Sequence, residues 1–593
     1  MVRKSLIALL PAIVVAALAP TTASAARPAT ATAPQVAAIT PCTGGMAGGY
    51  PCKNVDLQAN LPLSSMGGGS GSGGWGWGDT TTGKEYAVVA RTNGTAFVDV
   101  SNPSSPVYLG NLPSATGTSS WRELWVHNNT VYIVSDSNGA HGMQVFDLTR
   151  LRSLTSPPVA FTADARNTSF TSAHTININP STGFAYVNGS NTCSGGPRMF
   201  NLANRLAPAF AGCVSGDGYS HDSQTVTYHG PDTTYTNREI LVGSNEDTVT
   251  VFDVTTKSSP VQLARKTYSG RGYTHQGWFT ENHRYFLLDD ETDETSFGGN
   301  TRTYVWDMVD LNNPVMIGTF TGPTTASDHN QYVKGNYVYQ ANYRAGLRII
   351  NLTNIATPST MTEDAYFDVD PASNANGFAG AWTNYPYLPS GNVLIFSIQR
   401  GLFVVKPNLV VQPPPTTVWS DNFETATGWT TNPNGTDTAT TGLWERGDPE
   451  ATSSGVALQL GTTVSGVNDL VTGRLAGTGA GSFDVDGGTT SSRSPAVTLP
   501  TGTLALSYSW YLAHLNNASS ADFFRVSIVH NGGTTVLFTQ AGAAANRAGA
   551  WAVGSNSISA YAGQSVRILV ECADASGASL VECGVDDVKI TKQ

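Results

Sequence analysis

The feature that most constrains this chain is a motif that returns seven times. A hydrophobic strand ending in Asp or Asn occurs in "TAFVDVSNPSSPVYLG" (Asp99), "MQVFDLTR" (Asp147), "RMFNLANR" (Asn201), "VTVFDVTTKSSPVQLA" (Asp253), "TYVWDMVDLNNPVMIG" (Asp307) and "LRIINLTNIATPSTM" (Asn351). A seventh copy, "LFVVKPN", has Lys406 in that place. Successive copies lie 44 to 55 residues apart. Each follows a short alternating run such as "EYAVVA", "TVYIVSD" or "YFLLDD", and a further run such as "RELWVH", "HTININ" or "HQGWFTE" comes before that. Alternation with period two is the mark of half-buried strands. Only 13% of residues are charged and 62 are glycine, which suits sheets joined by tight turns. Four antiparallel strands per repeat, seven times over, predict an all-β, seven-bladed β-propeller. A linear β-solenoid is the rival, but its repeats are shorter and stack in parallel.

The seventh repeat stops after its third strand, and "PNLVVQPPPTT" stands where a fourth should lie. A ring must close, so "CKNVDLQANLPL" (Cys52–Leu63) is the expected closing strand. The glycine-rich "SMGGGSGSGG" that follows reads as a flexible lead into the first repeat. Residues 73–407 are then the propeller, 26–72 an N-terminal segment, and 408–417 a Pro-rich linker. From 418 to 593 the composition shifts to Thr, Ser, Gly and Ala. Runs such as "LALSYSWYLA", "FRVSIVH" and "SVRILVEC" predict a β-sandwich there.

Arg3 and Lys4, the apolar run Leu6–Pro20 and the small residues Ala23–Ala25 read as a signal peptide over 1–25. A retained anchor fits less well, because the run is short and Pro-interrupted. The expected location is extracellular, with no transmembrane segment in the mature chain. Six cysteines form three sequence-close pairs, Cys42/Cys52, Cys193/Cys213 and Cys572/Cys583, which read as loop-stapling disulfides. The net charge of −11, with no basic cluster after the N-terminus, argues against nucleic acid as a partner.

The strands "VFDV" and "RIINL" before their turns resemble LVIVD repeats. Longer stretches, among them "GKEYAVVARTNGTAFVDVSNP", "SHDSQTVTYHGPDTTYTNREILVGSNED" and "SDHNQYVKGNYVYQANYRAGLRIINL", resemble the choice-of-anchor B family. The likeness runs from about Cys42 to Pro407. It implies a secreted or surface-displayed propeller with a variable C-terminal anchor, and no particular reaction. "DNFETATGW" and "VECGVDDVKI" resemble the two ends of jelly-roll modules, MAM-like or carbohydrate-binding-like. That likeness implies a cell-surface, matrix or glycan partner. It also offers Asp421, Glu424, Asp586 and Asp587 as holders of a calcium ion, with plain edge carboxylates as the alternative.

Aligning the first strands places His174, His221, His275 and His329 at one position of four successive repeats, 47, 54 and 54 residues apart. Arg122 falls in this register one repeat earlier. First strands line a propeller's channel, so these side chains should form an arc around it. The loops after the second strands open at the same end. They carry Asp136, Glu246, Asp247, Asp289, Asp290, Glu291, Arg344 and Arg400, while Asp222, Gln276, Asp328 and Asn330 flank the histidines. Three readings stand open. The histidines tie blades together, or bind a polar ligand or a transition metal, or do acid–base work with Asp222 or Glu246 as base. No GxSxG, P-loop or HExxH motif is present. "DDETDE" lacks the glycine and spacing of an EF-hand and reads as a solvated acidic loop. The resulting expectation is a secreted binding protein with a histidine-lined funnel. The alternative is a metal-dependent extracellular hydrolase.

Overall fold

The computed structural model describes residues 39–409, 416–575 and 579–592. The signal-peptide reading lies outside these residues, as does most of the Pro-rich linker. Residues 39–409 build seven sheets, each around four antiparallel strands, with the short strand Val159–Ala160 added in parallel to Val107–Pro113 at the edge of one. In one of them Thr274–Phe279, Tyr285–Asp290, Arg302–Asp307 and Val315–Thr321 pair in chain order. The repeated Asp explains itself at the end of each third strand. Asp99, Asp253 and Asp307 each accept a hydrogen bond from the backbone N–H two residues on, at 3.0, 2.9 and 3.1 Å. The carboxylate thus sets the turn into the fourth strand. Lys406 makes no such turn; its ammonium donates to the Ser390 carbonyl instead.

The innermost strands touch in cyclic order. Gly71–Asp79 meets Arg122–His127, then come Thr175–Asn179, Asp222–Thr227, Thr274–Phe279, Asn330–Lys334 and Ala381–Tyr385, which returns to Gly71–Asp79. A closed cycle of twisted meanders is the β-propeller arrangement. The sheet of Ala381–Tyr385, Val393–Ser397 and Gly401–Pro407 takes Val55–Leu61 as its fourth strand. Just before it, Tyr50–Lys53 adds to Thr362–Phe367 of the neighbouring sheet, and the Cys42–Cys52 disulfide ties this strand to the chain that precedes it.

The glycine-rich lead is a correction. Much of it is the innermost strand Gly71–Asp79 rather than a flexible spacer. A Cβ at Gly71 would overlap the Ser397 carbonyl, one at Gly73 the Glu123 carboxylate, and one at Gly74 the Phe396 ring. Glycine here permits close approach between sheets. Aromatic side chains of the innermost strands pack together around the channel. Trp75 stacks on Trp125 at 4.0 Å and meets Tyr385 edge-on at 5.0 Å, and Trp278 meets Tyr332 at 5.0 Å.

Residues 416–592 form two further antiparallel sheets, one centred on Val581–Lys592 and Leu504–His514, the other on Ser565–Asp574 and Phe523–His530. They share a core that includes Trp444, Leu506, Trp510, Phe524, Ile568 and Val585. The Cys572–Cys583 disulfide links the two sheets, and Cys193–Cys213 closes a loop within the ring. Among the described residues no helix is long and apolar enough to cross a membrane.

Candidate functional site

Four histidines stand at the start of four successive innermost strands. The backbone sets two of them: the N–H groups of His174 and His221 donate to Asn188 and Ser244 carbonyls, both at 2.9 Å. His275 occupies a bulge between Thr274 and Gln276. Neighbouring rings lie 4.3 Å apart at each step from His174 to His329.

Their Nδ1 atoms fix the chemistry. Nδ1 of His221 bonds the His275 carbonyl at 3.1 Å, that of His275 the His329 carbonyl at 3.0 Å, and that of His329 the Trp382 carbonyl at 2.5 Å. A carbonyl only accepts, so each of these Nδ1 atoms carries the hydrogen and donates. In a neutral ring the lone pair then sits on Nε2. Burial holds His221 and His275 well below the ordinary histidine pKa and lowers His329 to about 3. Two of the readings that seemed exclusive therefore share one ring. Nδ1 braces the next sheet, and Nε2 is left as a base. His174 differs, since its Nδ1 faces Asp136 at 3.1 Å.

Glu291 reaches the same point from the loop after Tyr285–Asp290. Its Oε2 lies 4.0 Å from Nε2 of His275, and its Oε1 lies 3.8 Å from Nε2 of His329. The Tyr343 hydroxyl donates to Oε1 at 2.5 Å. Burial pushes the Glu291 carboxyl up to about 7. Above the ring opens a cavity of about 570 Å³, walled by Trp121, Tyr219, Tyr273, Tyr343, Phe378 and Trp382. Asp136 and Glu291 also face it, and no Lys or Arg stands among its described walls. Beneath the ring, over the aromatic floor, is a chamber of about 30 Å³. Glu123 and Asp222 line it, and burial raises them to about 8 and about 7.

Several expected residues lie elsewhere. Arg122 turns away from the channel, where it donates to Ser114 Oγ at 3.0 Å and Gln144 Oε1 at 3.4 Å beside His141. Side chains alternate along a strand, so Glu123 faces inward in its place and accepts from the Trp382 indole. Asp289 does meet the ring, at 3.0 Å from Nδ1 of His275. Asp290 instead clamps its own loop, accepting from the Gly272 and Tyr273 N–H groups and the Tyr268 hydroxyl. Gln276 and Asn330 bond the backbone of the following sheets at Gln331 and Trp382. Glu246 accepts from the Tyr273 hydroxyl at 3.0 Å and makes no contact with the histidines. Arg344 and Arg400 both pair with Asp370.

The acidic stretch is not solvated. It turns inward through the short helix Asp293–Phe297, which buries Asp293 and Glu294 beside buried Asp328. Arg302 and Tyr304 each donate to Asp293 at 2.8 Å. Both oxygens of Glu294 and of Asp328 lack a hydrogen-bond partner among the described residues. Burial, then the neighbouring Asp293, pushes Glu294 up to about 9.

In the second half, the four carboxylates read as a calcium set clamp loops. Asp421 accepts from Phe423 N–H and the Trp429 indole, Glu424 from Val467 and Asn468 N–H, Asp586 from Val464 and Ser465 N–H, and Asp587 from the Ser465 hydroxyl. Buried Asp469 has no hydrogen-bond partner at either carboxylate oxygen among the described residues, and burial and then Asp586 push it up to about 8.

A family model described as the LVIVD repeat matches residues 83–112 and 330–368. No curated protein matches the sequence. Hydrazine synthase of Kuenenia stuttgartiensis is similar over 58% of this chain and 96% of its own, at 11% identity and a TM-score of 0.41. A protein from Lactobacillus plantarum covers 51% of this chain and 85% of its own, at 14% identity and 0.35. The cleaved adhesin domain of Lys-gingipain from Porphyromonas gingivalis covers 30% and 98%, at 18% identity and 0.20. With the repeat match falling on the first and sixth meanders of the ring, this is an all-β protein carrying LVIVD repeats on a β-propeller.

Proposed function

We propose that the protein is an exported or surface-displayed seven-bladed propeller of the choice-of-anchor B type that captures a small ligand in its funnel. The cavity above the histidine ring carries this reading. Aromatic side chains pack beneath it, and its volume of about 570 Å³ suits a small molecule. With no Lys or Arg among the described walls, phosphate and sulfate esters find no counter-charge. Aromatic faces beside Asp136, Glu291 and tyrosine hydroxyls favour a neutral, flat-faced ligand such as a sugar ring or a phenol. The strand pattern from 418 onward supports a jelly-roll module that attaches the propeller to a glycan, matrix or cell surface.

Trp121 and Phe378 stand exposed on the rim, at 45% and 56%, so their replacement leaves the core intact. Neutral sugars and phenols are screened by thermal shift against the full chain and a Trp121→Ala/Phe378→Ala variant. The expected hit raises the melting temperature of the native chain and binds the variant about tenfold more weakly, a loss of about 1.4 kcal/mol. Hits that bind both proteins equally would place recognition outside the funnel.

A further inference from the structure

We infer that the base of the funnel is a binding site for one divalent transition metal ion of the zinc or iron(II) type, held by Nε2 of His275, Nε2 of His329 and the Glu291 carboxylate. The argument starts from protons. Both Nδ1 atoms spend their hydrogens on backbone carbonyls, so both Nε2 atoms present lone pairs. Those lone pairs face the Glu291 oxygens at 3.8 and 4.0 Å, too far for hydrogen bonds. Two imidazole lone pairs and a carboxyl turned to one spot form a donor set that a cation between them would satisfy.

Distance and chemistry then select the cation. The three ligand atoms all lie within 4.8 Å of one another. One ion with bonds of about 2.0 to 2.2 Å reaches all three after a small inward movement. Two imidazoles and one carboxylate suit zinc or iron(II) better than calcium or magnesium, which prefer oxygen donors. The outer partners are in place as well. Asp289 holds His275 at Nδ1, and Tyr343 holds Glu291. Such contacts fix ligand orientation and raise basicity. The remaining coordination position faces the aromatic cavity, so a ligand oxygen can complete it; that last step rests on the funnel reading above. His174 and His221 take no part.

The test uses chelator-treated full-length protein titrated with Co²⁺ and followed by visible absorption. One equivalent with d–d bands of a four- or five-coordinate ion is expected. The bands should vanish in His329→Ala and Glu291→Ala, persist in His174→Ala, and need roughly 10- to 100-fold more cobalt in Asp289→Asn. Circular dichroism confirms that each variant is folded. A folded native chain that binds no cobalt overturns the inference. So does cobalt that survives His329→Ala, as binding at exposed His229 and half-buried His283, whose rings stack at 5.9 Å, would. Rim capture is scored separately. Sugar or phenol binding that continues in His329→Ala with no metal bound removes the metal site alone. Cobalt binding without any rim ligand removes the capture reading alone.

Discussion

Two arcs of the innermost strands are built from different kinds of residue. From His221 to His329 the innermost strands present imidazoles braced by carbonyls and backed by buried carboxyls. Across the channel, Gly71–Asp79 presents glycines and Trp75 packed against Phe396, Tyr385 and Trp125. The difference teaches that repetition supplies the frame and departure from it supplies the site. One arc stores polar groups at a cost in desolvation, and the other supplies contact area that offsets it.

The largest effect that would sharpen this contrast is on pH, and it acts on the polar arc. Asp222 and Glu294 have folded pKa values raised to about 7 and about 9, above their unfolded values of 3.8 and 4.5. The folded state therefore binds more protons than the unfolded one across this window. The contribution of these two groups is fully present below about pH 4 and is lost as pH rises through 7 and 9. The urea midpoint should fall from pH 5 to pH 9, and Asp222→Asn/Glu294→Gln should flatten the slope. A midpoint that climbs instead would mean that a cation keeps these carboxylates charged.

On the other arc, Trp75→Ala should cost about 3 to 5 kcal/mol through lost packing, read from the same urea transitions. Gly74→Val should cost about 1 to 3 kcal/mol by forcing the Phe396 ring aside. A Gly74→Val chain of native stability would refute close approach as the reason for that glycine. The smallest effect returns to the polar arc. His221→Phe removes one strut and should cost about 1 kcal/mol while leaving the cobalt spectrum unchanged.

The scaffold was legible because its signals are local. Alternation within strands and an Asp or Asn at six of the seven turns need only a few neighbouring residues, so the repeat and the histidine spacing could be read directly. What escaped depends on one-residue register or on distant chain. Arg122 and Glu123 exchange faces with a single step, and the bulge at His275 leaves no mark in composition. The glycines before Trp75 look flexible until the opposing Phe396 and Glu123 are known. "DDETDE" looks solvated because charge suggests water, yet the chain folds it inward against Arg302 and Tyr304. Glu291 was visible as a loop carboxylate. Its partner Tyr343 and the neighbouring Trp382 come from other repeats, and no local pattern pointed to either.

The strand Val55–Leu61 gives the ring a schedule. Asn60 donates to the Leu402 carbonyl, a partner 342 residues downstream. A chain that emerges from its N-terminus first must hold this strand unpaired through the synthesis of almost the whole ring. Pairing over such a separation is slow, and a waiting apolar edge is open to the edge of another molecule. Joining the two ends is thus the final event of assembly, and the hazard of mispairing is greatest just before it. In this molecule the beginning of the ring is the last part to be finished.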